Sequence, residues 1–138
     1  MLIPCEVAVK CVLPVVRAMV ANELVTKYDL KQVEAAKLLG ISQPAISLYG
    51  SKIRGNAINL ENETEVKKAI ENLAELLAKN ELSNKDFVLM FCEICRTIRA
   101  KGLMCRLHKA FEPSIEIEKC GLCSLISDNG CIKITSNT

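Results

Sequence analysis

The chain has 138 residues, half of them hydrophobic, enough for one ordinary domain or two very small ones with a true core. Aromatics are scarce, Trp is absent, Gly and Pro are few, and Ala, Leu, Ile, Val, Glu and Lys dominate, a mixture that favours helices over sheets. The net charge of +2 excludes a strongly basic arm, yet it is unevenly spread: residues 1 to 60 carry seven Lys/Arg against four Asp/Glu, net +3, and residues 61 to 138 carry eleven against twelve, net −1.

The amino-terminal stretch MLIPCEVAVKCVLPVVRAMVA is apolar, but Glu6, Lys10 and Arg17 interrupt it, and it has neither a basic leading region nor a small-residue cleavage site. No signal peptide and no membrane span is expected, which points to a cytoplasmic protein. Pro4 suits a helix first turn, and a helical pattern runs to about Tyr28, kinked or restarted at Pro14 because that residue lacks an N–H. Val12, Val16, Met19, Val20, Leu24 and Val25 form its expected buried stripe. A second helix, from about Lys31 to Leu39, is expected to bury Val33, Ala36 and Leu39, with Gly40 as the left-handed residue that ends it. Ser42 then caps a third helix that carries Gln43, Pro44 and Ala45 in its first turn.

Beyond Gly50, SKIRGNAINLENET reads as a polar loop or hinge, dividing residues 1–58 from residues 59–138. From about Glu63 to Lys79 a helix repeats Val66, Ile70, Leu73 and Leu77 at spacings of four, three and four, a stripe for a core or a dimer contact. Ser83 caps a further helix through about Lys101, striped by Phe87, Phe91, Ile94 and Ile98 and stopped by Gly102. Pro113 breaks the pattern, and SIEIEKCGLCSLISDNGCIKIT has the alternation and turn residues of short strands or a knuckle. The expected fold is therefore mainly α: an N-terminal pair of short helices with a sharp corner, then a helical, cysteine-rich C-terminal part.

The corner itself carries information. A short helix, a glycine and a second helix at a steep angle need a small residue at the crossing and apolar residues at fixed offsets, and Ala36, Gly40, Ile41 and Ile46 supply them. The 25 residues KQVEAAKLLGISQPAISLYGSKIRG resemble the helix-turn-helix of transcription regulators of the phage-repressor and Cro type, through Gln32, Ala36, Gly40, Ile41, Ser42, Gln43 and Ile46. More of the chain, from LPVVRAMVANELV to the cysteines, looks like an archaeal family of predicted transcriptional regulators. The resemblance implies binding of double-stranded DNA. Gln32 and Ser42, at the starts of two helices, would hold phosphates, and Gln43 would read base edges in the major groove. Pro44, Ser47 and Leu48 share that face, although Leu48 stands where a polar reader is usual. Lys52 and Arg54 would neutralise phosphates. Regulators of this type pair two copies on a palindromic operator, so a homodimer is expected, with the Val66, Ile70, Leu73 and Leu77 stripe as its contact.

Eight cysteines form the second pattern. In a reducing compartment close pairs bind metal more often than they form disulfides. Cys92-x-x-Cys95 and Cys120-x-x-Cys123 fall within 32 residues with Cys105 between them. A pair at i and i+3 shares a helix face, and two pairs complete a four-sulfur site. Five thiols exceed what a closed zinc site needs, so an iron–sulfur cluster, of the four-iron type, is favoured over zinc. Cys5 and Cys11 are expected in the core, and His108 on the surface. No nucleophile–base pair, carboxylate pair or phosphate loop stands out, so catalysis has no candidate residues. The expectation is a DNA-binding regulator with a cysteine-bound centre. The rivals are a redox or electron-transfer protein built on the cysteines, and a DNA-binding protein with a structural zinc.

Overall fold

Capping chemistry sets the helix boundaries in the computed structural model, which describes residues 3–50, 58–111, 113, 114 and 116. The described part is mainly helical and has no strand. The first helix, α1 (Pro4–Val7), runs into a π-helical turn, Ala8–Val12, and then into α2 (Leu13–Thr26). A proline inside a continuous α-helix would leave one bond unmade and press its ring on the carbonyl four residues earlier. Here the widened turn comes first: the Leu13 N–H donates to the Ala8 carbonyl, and α2 restarts with Pro14 in its first turn.

Next come α3 (Gln32–Leu39) and α4 (Gln43–Gly50), then α5 (Thr64–Ala78), α6 (Asn84–Ala100) and α7 (Cys105–Phe111). Three of these helices end in the same way. Gly40, Asn80 and Gly102 adopt positive φ (68°, 55° and 71°), and each following N–H reaches back five residues, Ile41 to Ala36, Glu81 to Leu76 and Leu103 to Ile98. These bonds satisfy last-turn carbonyls that would otherwise lack partners. At the start of α6 the Ser83 Oγ accepts from the Asp86 N–H at 3.1 Å and donates to the Asp86 carboxylate at 2.8 Å.

The hub is α2. Its buried residues Val15, Val16, Val20, Ala21 and Leu24 meet α5 on one side, while α3 and α4 also pack against it. α6 lies on α5, and α7 touches α1. Buried side chains from both halves, Val7 through Met104, form one continuous core.

Several sequence expectations need correction. The stripe Val66, Ile70, Leu73 and Leu77 is buried within the chain, 0 to 6 % exposed, so it serves the internal core and is not available as a dimer contact. Val33, expected inside, is 66 % exposed, and Ala35 is buried in its place beside Ala36. Met19 and Val25 pack only partly against the core. Among the described residues no helix is long and apolar enough to cross a membrane. The expected loop over residues 51–57 and the expected strands or knuckle after Pro113 lie outside the described residues, apart from Ser114 and Glu116.

Candidate nucleic-acid interface

The corner between α3 and α4 is three residues long: Gly40, Ile41 and Ser42. Gly40 and Ile41 close the end of α3 onto Lys37 and Ala36. Ser42 opens α4: its Oγ accepts from the Ala45 N–H at 3.3 Å and its carbonyl from Ala45 and Ile46. The Ser42 hydroxyl proton is not used by that cap, so the side chain retains a donor on the exposed surface.

Eight residues make two turns of α4, and its sides differ sharply. Ala45, Ile46 and Tyr49 are buried, whereas Gln43, Pro44 and Ser47 are exposed and Leu48 is half-buried. Positions i, i+1 and i+4 therefore form one outward strip on a short helix whose other side is fixed in the core. Leu48 stands at the border of that strip and is partly covered by protein.

Two glutamines meet at the edge of the strip. Gln32, first residue of α3, and Gln43, first residue of α4, are both exposed, and the Gln43 Nε2 donates to the Gln32 Oε1 at 2.7 Å. That bond uses one amide proton of Gln43 and one acceptor of Gln32. Gln43 keeps its carbonyl and a second N–H, a donor and an acceptor of the kinds that the major-groove edge of adenine complements. Gln32 keeps both its amide protons, suited to an anionic oxygen beside the base. Glu34 accepts from the Lys31 N–H at 3.1 Å and closes the start of α3, and Lys31 and Lys37 are exposed on the same short helix segment. The sequence had named each glutamine separately; their spacing of eleven residues across a glycine corner is the signal that would have paired them. Lys52 and Arg54 lie outside the described residues.

The cysteines meet some expectations and depart from others. Cys92 is exposed and Cys95 half-buried on α6, and both line a groove of about 310 Å³ between α6 and the N-terminal helical segment. The third thiol lining that groove is Cys5, which is exposed and not in the core. Cys105 does not line it; its Sγ lies beside Gly102. Cys11 is buried, as expected. His108, expected on the surface, is only 4 % exposed, because α7 folds back so that its inner face is covered. Among the described residues no three His, Cys, Asp or Glu side chains stand together closely enough to hold a metal ion. Cys120 and Cys123, the second expected pair, and Cys131 lie outside the described residues.

The groove wall also includes Leu13, Arg17, Phe87 and Phe91. The Arg17 guanidinium sits 5.7 Å from the centre of the Phe91 ring, which is itself tilted against Phe87 at 5.6 Å. Such a cation over an aromatic face is favourable and holds the wall in place. No protein family, curated protein or solved structure matches this chain.

Proposed function

We propose that the chain is a sequence-specific DNA-binding regulator that lays α4 in the major groove and reads bases through Gln43. The observation that carries this reading is the exposed Gln43–Gln32 hydrogen bond. A surface amide pair gains little stability, since each partner gives up water for it. What it does accomplish is orientation: it fixes one of the two amide faces of Gln43 outward, with its side-chain entropy spent before any DNA arrives. Ser42, Pro44 and Ser47 surround it with small or polar contacts, and Lys31 and Lys37 supply positive charge on the flanking helix.

In this reading Gln32, Ser42, Lys52 and Arg54 hold phosphates and Gln43 specifies. Binding pairs two copies on a palindromic site, because a single eight-residue helix covers only a few base pairs. The pairing surface is one other than the α5 stripe. No catalytic step is involved.

The test is a titration of labelled random-sequence duplex at several salt concentrations. The wild-type chain is expected to bind with log K falling linearly with log salt. Lys52→Ala and Arg54→Ala are expected to weaken binding and flatten that slope by about one ion each, and Gln43→Ala to leave random-sequence binding nearly unchanged. Absence of salt-dependent binding to any duplex would remove the assignment.

A further inference from the structure

Spacings of three and four place Cys92, Cys95 and Arg99 along one side of α6. Arg99 is buried, 7 % exposed, and its Nη1 donates to the Cys5 Sγ at 3.5 Å, a contact between residues 94 apart in the chain. Side chains on a helix lean toward its N-terminal end, which for Arg99 is the direction of the turn that begins at Cys95. Cys5 touches that guanidinium, and Cys95 is the α6 thiol one turn from Arg99 along the helix. Cys92 is a further turn away. Cys5, Cys92 and Cys95 all line one groove, together with Arg17, Arg96 and Arg99, and among the described residues no Asp or Glu lines it.

We propose that Cys5 is a hydroperoxide-reactive thiol resolved by Cys95, so that oxidation ties the N-terminal helix to α6. The groove gives a hydroperoxide access to an exposed sulfur, and the Arg99 guanidinium donates an N–H to that same sulfur. In the first step the Cys5 sulfur attacks one peroxide oxygen. An S–O bond forms, the O–O bond breaks, and the thiol proton leaves on the alcohol or water produced, giving Cys5 sulfenic acid. The Cys95 sulfur then attacks the Cys5 sulfur. The S–S bond forms, the S–O bond breaks, and water departs with the Cys95 proton. Two thiols and one hydroperoxide thus become one disulfide, one alcohol or water and one water, a two-electron oxidation of the protein.

The bond needs the two Cα atoms within disulfide range, and α1, which carries Cys5, is only four residues long and joined to α2 through the π turn. Cys11 is buried and Cys105 lies outside the groove, so neither competes. This inference does not depend on DNA binding, and its test reads the sulfur chemistry alone.

The full chain, reduced and freed of reductant, is titrated with hydrogen peroxide, alkylated, digested and mapped by mass spectrometry without reduction. The expected product is a Cys5–Cys95 linked peptide, with Cys11 still alkylated. Cys95→Ser should stop the reaction at a Cys5 sulfenic acid trapped by dimedone, and Cys5→Ser should leave Cys95 as a thiol. Circular dichroism on each variant verifies the fold, and the wild-type map stands without them. Cys5 remaining alkylatable after peroxide, Cys5 joined to another cysteine, or Cys95 shielded by a bound metal that peroxide does not displace would each overturn the assignment.

Discussion

Gly40 joins α3 to α4 at a φ of 68°, and a Cβ built on it meets no atom within 4 Å. Replacing it with Ala therefore tests backbone conformation with no steric clash to confuse the result. The left-handed region costs an L-residue about 1–2 kcal/mol. Any Gly→Ala change also gains about 0.5–1 kcal/mol by restricting the unfolded chain. The difference leaves Gly40→Ala less stable than wild type by about 0.5–1 kcal/mol. Gly50 provides the control. It ends α4, a Cβ there also meets nothing within 4 Å, and its φ is not in the left-handed region. Gly50→Ala is expected to be neutral or to stabilise by up to about 0.5 kcal/mol, and Gly40→Asn to fall between wild type and Gly40→Ala, since Asn tolerates the left-handed region better than Ala. Urea unfolding followed by circular dichroism measures all three, with an unchanged m-value as the condition for comparing midpoints. Equal midpoints for Gly40→Ala and Gly50→Ala would refute the claim that a left-handed residue sets the angle of the corner.

Other expectations follow from the same geometry. Ser42→Ala should cost about 1 kcal/mol of stability through loss of the α4 cap, whereas Ser42→Asp should keep the cap yet weaken DNA binding by repelling phosphate; the urea assay and a fluorescence anisotropy titration separate the two effects. Gln32→Ala should weaken specific DNA binding less than Gln43→Ala, and a double-mutant cycle should return a coupling of about 0.5–1.5 kcal/mol, whereas additivity would mean that the amide pair does not orient Gln43. Leu73→Ala should lose about 2–5 kcal/mol, because Leu73 is 0 % exposed within the core beside α2, and Leu73→Glu should unfold the chain instead of leaving a folded monomer, as circular dichroism will tell. The exposed Glu75–Lys79 pair at 2.8 Å holds the Glu75 carboxyl below its ordinary value of 4.5, mainly through its hydrogen bond to Lys79. Its small contribution is present above that value and fades as pH falls through the lowered one, which hydrogen exchange at the end of α5 should register as local fraying.

Much of the helical frame was legible because its signals are local. Gly40, Gly102, Ser42 and Ser83 mark ends through capping chemistry that needs only a few neighbouring residues. Asn80 does the same at the end of α5 but was missed, since Asn enters the left-handed region less often than Gly and signals it weakly. Periodicity found the buried face of α5 without revealing what covers it, because a repeat states that a face is apolar and not whether the partner is α2 or a second chain. For α3, eight residues are too few for a secure phase, and the small Ala35 and Ala36 take the inner face while Val33 points outward. Long-range placements left still less trace. Cys5 reaches Arg99 across 94 residues, and His108 is buried by the packing of α7, neither of which any local pattern encodes. The metal expectation rested on thiol spacing alone, and spacing gave no hint that Cys5, rather than Cys105, shares a groove with Cys92 and Cys95.

The central claim, that Gln43 reads DNA sequence from α4, is tested most directly by selecting binding sites from a random duplex library with the wild-type chain and with Gln43→Ala in parallel. The account predicts that the wild type enriches a motif containing an adenine that the variant no longer requires, in two half-sites about one helical turn apart, with discrimination at that position falling by about 1–3 kcal/mol. A wild-type chain that enriches no sequence, or a motif that Gln43→Ala recovers unchanged, would contradict it.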